Sequence, residues 1–260
     1  MTKLPKILLV DDSEEVIAYL ADLLYEEYQI ITTSNGEEAI RELQRENIQL
    51  VISDVMMPLM DGLELCRLIR SDERICHVPV ILLTAKDSMQ SKIEGLETGA
   101  DAYIEKPFYP KYLLAQVSNL LQNRKQLRDF FSQSPFVHVG TIAHTRSDVT
   151  FLEEVSRFVL SRSDEAELDM DLLADNVNMS RMTFYRKIKA VTDMTPRDYV
   201  NLVRLKRAAE LLTDGTYKIY EIASMTGYKS ATHFSKLFHK QFGLNPMEFV
   251  RTTRSKDAEK

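Results

Sequence analysis

Long apolar runs are missing from this 260-residue chain. No stretch approaches 18 consecutive apolar residues, so no segment reads as a membrane span. The opening residues MTKLPKILLVDD carry only a short apolar stretch that ends in two aspartates, which also excludes a signal peptide. Cysteine is scarce. Cys66 and Cys76 lie ten positions apart, outside any CxxC spacing, and give neither a disulfide framework nor a zinc cluster; both are expected to be reduced structural thiols. Glycine is thin as well. The eight glycines are scattered with no G-x-G cluster, which removes the ATP site that a kinase would need. None of the five histidines sits in a phosphoacceptor context. The expectation is a cytoplasmic chain with no membrane partner, and not an enzyme.

Charge is plentiful and unevenly placed. The net charge of −6 argues by itself against nucleic acid. Residues 1–148, however, hold 15 Lys+Arg against 23 Asp+Glu (net −8), and 149–260 hold 18 against 16 (net +2). Within 175–251 the count is 13 basic to 7 acidic, a net of +6. An acidic half joined to a basic one suggests two kinds of partner, a cation and a polyanion. At this length and 44% hydrophobic content, two ordinary domains are expected.

Ile7–Val10, Ile30–Thr32, Leu50–Ser53, Val78–Leu83 and Ala102–Ile104 are short runs rich in Ile, Val and Leu, separated by longer amphipathic stretches. Five strands alternating with helices call for a parallel sheet covered on both faces, with ligands beyond the carboxyl ends of the strands. The chemistry-bearing residues fall at those ends. Asp11 and Asp12 follow the first strand, Asp54 ends the third, Thr84 ends the fourth and Lys106 follows the fifth. A lone aspartate at a strand end is usually a turn or helix cap; five such residues at four strand ends are not. Three carboxylates in one crevice repel unless a divalent cation sits among them, and a hard, oxygen-ligated ion such as Mg²⁺ suits them. Beside that ion Asp54 is the natural nucleophile for a phosphoryl group, with Lys106 as a second point charge for its oxygens.

VDD at 10–12, SDVMMPLMDG at 53–62, TA at 84–85 and GADAYIEKPF at 99–108 resemble the receiver domains of bacterial response regulators, over about residues 5–122. The resemblance implies a doubly wound, flavodoxin-like sheet with Asp54 as phosphoacceptor. It implies a metal site made by Asp11, Asp12 and Asp54 with the backbone carbonyl of Met56. It further implies Thr84 as the switch hydroxyl, Tyr103 as the aromatic that rotates inward behind it, and a cis peptide at Lys106–Pro107.

After Pro110, Leu113, Val117, Leu120, Arg124, Leu127 and Phe131 follow a 4-3-4-3-4 spacing, the seam of a coiled coil. The early members suit the receiver core; Leu127, Phe130 and Phe131 need another apolar partner, either a second copy in a parallel dimer or one of the two domains. Ser132–Ser147, with Pro135 and Gly140, reads as a hinge, and His138 and His144 within it as loop histidines. The expected divisions are 1–122, a helical extension and linker over 123–149, and 150–260.

The C-terminal part repeats itself about every 50 residues. Leu173, Ala174, Ser180, Phe184, Arg186, Ile188, Pro196 and Val200 match Ile222, Ala223, Ser230, Phe234, Lys236, Phe238, Pro246 and Val250. Asn178 suits a left-handed helix end and Ser180 the next N-cap; Gly227 and Ser230 repeat those roles. Each copy has helix-turn-helix geometry, whose second helix enters the major groove. Thr195-Pro196 starts a long spacer helix that stops near Gly215. The expected architecture here is an all-α domain with two helix-turn-helix motifs.

Residues 150–252 resemble AraC-type DNA-binding domains, most specifically in YEIASMTGYKSATHFSKLFHKQFGLNPMEFV at 220–250. By that resemblance Arg181, Met182, Tyr185, Arg186 and Lys189 face DNA from the first copy, and Ala231, Thr232, Ser235 and Lys236, with His239 beside them, from the second. Phe184, Ile188, Phe234, Leu237 and Phe238 fall on the core side. Arg181 and Arg186 can grip guanine in bidentate fashion and Ala231 and Thr232 cannot, so the first copy is expected to dominate base reading, with Lys187 on its phosphate-facing flank.

Together these features imply a two-component response regulator: a cognate histidine kinase phosphorylates Asp54, and this controls DNA binding and transcription, with homodimerisation on phosphorylation. A chain starting at Met1 with no sensor segment is expected to stand alone. The alternatives are a cytoplasmic piece excised from a hybrid sensor kinase and a phosphorylation-independent DNA-binding scaffold.

Overall fold

The computed structural model describes residues 4–85, 98–143, 145–163, 165 and 167–258, with side chains to 253. His144 lies outside them, and His138 is exposed. The chain divides into two compact units, Met1–Lys125 and Gln126–Lys260.

In the first unit β1 (Lys6–Val10), β2 (Gln29–Thr33), β3 (Leu50–Asp54), β4 (Val80–Ala85) and β5 (Ala102–Lys106) form one parallel sheet in the order β2-β1-β3-β4-β5. Helix α1 (Glu14–Leu24) follows β1, α2 (Gly36–Arg45) follows β2 and α3 (Gly62–Ser71) follows β3; α4 (Pro110–Gln133) follows β5. Each of the first three helices starts on a polar cap. The side chains of Ser13, Asn35 and Asp61 accept the backbone N–H of Val16, Glu38 and Glu64, satisfying donors that the first turn leaves open. Strand β4 starts two residues later than the apolar run at Val78, because Pro79 has no N–H for the ladder. The sheet is apolar on both faces, as helix-covered parallel sheets are. Leu8, Val10, Val51 and Leu82 pack with α2 and α3 residues, and Ile7, Leu9, Ile52 and Leu83 with Leu20, Leu24, Leu113 and Val117. Because β1 is flanked by β2 and β3, the chain reverses direction across the sheet there, and a crevice opens at the carboxyl ends of β1 and β3.

The second unit is helical: α5 (Arg146–Ser161), α6 (Met170–Asn176), α7 (Arg181–Thr192), α8 (Pro196–Asp214), α9 (Ile219–Met225), α10 (Ala231–Phe242) and α11 (Pro246–Ala258). The repeat is visible in the backbone. Between α6 and α7 Asn178 has φ +52°, and between α9 and α10 Gly227 has φ +83°. Ser180 and Ser230 then cap α7 and α10. A Cβ at Gly227 would meet the Ser163 carbonyl oxygen at 2.7 Å, so this turn needs glycine twice over. Thr195 and Pro196 open α8, and Gly215, left-handed at φ +75°, closes it.

The hinge expected over Ser132–Ser147 is corrected. A short 3-10 turn at Val139–Thr141 leads into Ile142, which is fully buried with Phe131 in the core formed by α5, α7 and α8. The coiled-coil seam is likewise spent internally. Arg124 donates to the His77 carbonyl and to Asp101, and Phe131 is core, which leaves Leu127 36% and Phe130 55% exposed.

Candidate functional site

The register of the sheet brings the acidic residues together. Val10 lies opposite Ser53, Asp54 opposite Leu83, and Ala85 opposite Lys106, so Asp11, Asp54, Thr84 and Lys106 share one rim. Asp11 and Asp54 are both buried, yet each is fully engaged. Lys106 Nζ donates to Asp11 Oδ2 at 2.9 Å and to Asp54 Oδ1 at 2.5 Å. The other oxygens accept backbone N–H groups, Asp11 Oδ1 from Ser13 and Asp54 Oδ2 from Met56, both at 2.9 Å. Burial works against the Lys106 charge, but the hydrogen bonds and charges of Asp54 and Asp11 outweigh it and hold the ammonium above lysine's ordinary pKa.

Thr84 is buried, with its hydroxyl on the Ala85 carbonyl at 3.0 Å. The Tyr103 hydroxyl is buried without a hydrogen-bond partner among the described residues. Its ring borders an open hollow of about 520 Å³ beside Phe108 and Tyr112. The peptide between Lys106 and Pro107 is cis. Asp12 is exposed, and Met56 presents its backbone next to Asp54 while its side chain points to solvent. Among the described residues no three or more His, Cys, Asp or Glu side chains form a group that could hold a metal ion. The donor chemistry nevertheless fits a hard dication: two carboxylates share one ammonium, leaving negative charge uncompensated, and every candidate donor is an oxygen.

Two supports of Asp54 escaped the sequence reading. A Cβ at Gly62 would come 2.1 Å from the Asp54 carbonyl oxygen, and Ser53 Oγ donates to that same oxygen at 2.8 Å. The Asp61-Gly62 pair was a readable turn signal; its closeness to Asp54 was not.

In the helical unit the face of α7 carries Arg181, Met182 and Tyr185 exposed and Arg186 and Lys189 half-buried, while Phe184 and Ile188 are core. On α10 Thr232, Lys236 and His239 are exposed and Ala231 and Ser235 half-buried. Phe234 and Phe238 are buried, and Leu237 packs partly against them. Arg181 reaches Asp171 at 3.0 Å and Lys189 reaches Asp193 at 2.9 Å, so both cations hold acidic neighbours. Lys187 is a correction. Rather than facing phosphate it is sealed in the core, paired with Asp148 at 3.3 Å with both side chains fully buried, its ammonium 4.7 Å from the Phe151 ring centroid. Ile188 and Val191 on α7 are buried as well, and Lys187 points the same way.

Two family models match. The response regulator receiver domain covers residues 7–118 and a helix-turn-helix domain of AraC type covers 173–252. The chain belongs to the response regulator family. Among relatives of this response regulator, the transcriptional regulatory protein GltR of Pseudomonas aeruginosa is 38% identical over 64% of this chain and 69% of its own length. Histidine kinase P4 of Formosa agariphila is 37% identical over 94% of this chain but only 18% of that protein. The alkaline phosphatase synthesis regulator PhoP of Bacillus subtilis is 42% identical over 45% of this chain and 48% of its own. The response regulator thus spans half or less of two of these three relatives. No helix among its described residues is long and apolar enough to cross a membrane.

Proposed function

We propose that Asp54 is phosphorylated and that this modification controls sequence-specific DNA binding by α7 and α10. The observation that carries the reading is the Asp11–Lys106–Asp54 cluster at the sheet's switch point, with its carboxylates buried and its ammonium partly exposed. An Asp54 oxygen attacks the phosphorus of a phosphohistidine on a partner kinase; the new O–P bond forms as the P–N bond breaks, and the histidine nitrogen takes the departing electron pair. Lys106 already donates to the reacting carboxylate and would follow the charge onto the phosphoryl oxygens. Asp11, Asp12, Asp54 and the Met56 carbonyl would hold Mg²⁺, which supplies charge neutralisation for the incoming phosphoryl group. Thr84 would exchange the Ala85 carbonyl for a phosphoryl oxygen, and Tyr103, whose hydroxyl has no partner among the described residues, would turn into the space vacated.

The exposed residues of α7 and α10, Arg181, Met182, Tyr185, Thr232 and Lys236, with Arg186, Lys189, Ala231 and Ser235 behind them, form the DNA face. Arg181 and Lys189 would trade Asp171 and Asp193 for DNA oxygens or base edges, so binding weakens steeply with salt. Self-association on phosphorylation has Leu127 and Phe130 available to it, since the rest of the seam is spent inside the units. The match to a histidine kinase over nearly the whole chain supports a second reading of context, in which this receiver and DNA-binding pair is the end of a longer hybrid sensor. The site chemistry is the same in both.

The test is radiolabelling with acetyl phosphate and Mg²⁺, comparing the parent with Asp54→Asn, alongside DNA selection with and without beryllofluoride. Labelling should vanish in the variant, and beryllofluoride should change the affinity for the selected site. Equal labelling of both proteins removes Asp54 from its role. Unchanged affinity makes the chain a phosphorylation-independent DNA-binding protein.

A further inference from the structure

The segment 128–137, which runs from the helical extension into the expected hinge, reaches four helices of its own unit. Arg128 Nε donates to the Val191 carbonyl at 3.0 Å and its Nη2 to that of Ala190. Both carbonyls belong to the last turn of α7, where a helix leaves its acceptors unsatisfied and its dipole favours a cation. At Ser132 the carbonyl accepts Gln241 Nε2 at 2.9 Å, one residue before the end of α10. Lys206, in the middle of α8, donates to the carbonyls of Ser134 at 2.6 Å and Val137 at 3.0 Å and stands 4.2 Å from the Phe131 ring centroid. The Phe136 ring lies 5.9 Å from that of Phe249 on α11. One short segment therefore ties down the carboxyl ends of both candidate recognition helices and the spacer between them.

A chain that reads DNA with two helices must present them at one separation, or each operator spacing would be bound by a different conformer. The spacer α8 packs on the core faces of both, against Phe184 and Ile188 of α7 and Phe234 and Phe238 of α10, and the segment 128–137 adds hydrogen bonds at their carboxyl ends. We infer that residues 128–137 are a strap that sets the separation of α7 and α10, with Arg128 as a positioning residue for DNA recognition acting through the α7 carbonyls. The strap restricts which spacing between the two sub-sites of an operator is bound. This rests on the reading of α7 and α10 as the DNA face.

Nitroxides at Met182→Cys and Lys236→Cys of the full chain report the separation directly, since Cys66 and Cys76 are buried. The parent should give one narrow distance by pulsed electron spin resonance. Arg128→Ala should lose it for a broad distribution, Gln241→Ala should do the same from the other end of the strap without touching the core, and Arg128→Lys should recover part of it. In parallel, the chain without nitroxides selects from a DNA library with randomised sub-sites and variable spacing. Arg128→Ala should keep each sub-site's base preference but lose roughly ten-fold in discrimination between spacings, equivalent to about 1.4 kcal/mol. An unchanged distance in both alanine variants, or a uniform loss of affinity at every spacing, overturns the strap. A parent that selects no sequence removes the DNA reading and the operator consequence with it, while the nitroxide distances still decide whether the strap holds the helices.

Discussion

The two units bury charge in opposite ways. In the sheet unit Lys106, 27% exposed, sits between two carboxylates at an open rim, where solvent, a cation or a phosphoryl group can enter. In the helical unit Lys187 and Asp148 are fully enclosed, and Arg128 and Lys206 spend their donors on backbone carbonyls. The same residue types thus stand at an accessible rim in one unit and hold helices together in the other. An ion pair's role is read from its access, since sealed charges cost so much to uncover that nothing can trade partners with them.

The contrast is most easily broken at Asp148. Asp148→Ala removes the carboxylate paired with the buried Lys187 ammonium and should cost about 3–5 kcal/mol in the helical unit's urea transition, whereas Asp148→Leu with Lys187→Met should return to within about 1 kcal/mol of the parent. A single-variant loss below that of a surface pair makes the site wetter than its burial indicates. Next in size is Gly62→Ala, whose methyl group must displace the Asp54 carbonyl. A loss of about 1–3 kcal/mol in the sheet unit's transition is expected, together with slower labelling by acetyl phosphate, and a labelling rate equal to the parent's would detach Gly62 from the site.

Smaller still, Lys106→Met should change the sheet unit's stability by only about 1 kcal/mol, because the rim is open. Mg²⁺ should raise the variant's stability more than the parent's; no difference in a magnesium titration followed by thermal unfolding contradicts the donor set. A pH-dependent effect belongs to Lys206, whose pKa burial lowers to about 8 against the pull of Glu210. The unfolded chain, with an ordinary lysine near about 10.4, binds more protons between those values. The penalty for burying the ammonium is therefore full below about pH 8 and disappears as pH rises towards 10.4, so stability should climb across that window. In Lys206→Met this climb should be missing when urea midpoints are compared at the two ends of the window.

Much of the sheet unit was legible because its chemistry sits at strand ends, where period and position coincide: Asp54 closes β3, and Asp11 and Lys106 flank the same rim. The repeat was legible because Ser180 and Ser230 cap equivalent helices. What escaped were contacts to backbone. Nothing in the letters of 128–137 shows that Ser132 and Ser134 offer carbonyls to Gln241 and Lys206, since every residue carries that acceptor. Lys187 escaped because a charged residue on a basic helix is ordinarily solvated, and its burial is offset by a carboxylate, Asp148, that lies 39 positions earlier in the chain.

The buried ends of that segment also decide where this protein can be cut and rejoined. The helix-turn-helix model begins at Leu173 and the resemblance over 150–252 suggests a boundary at 150, but a chimaera spliced at either point would discard Arg128, Phe131, Ile142 and Asp148. It would open a hole in the core and leave Lys187 facing it. A transplantable module must carry everything from Gln126 onward, so a swap of the input unit keeps its junction ahead of Arg128.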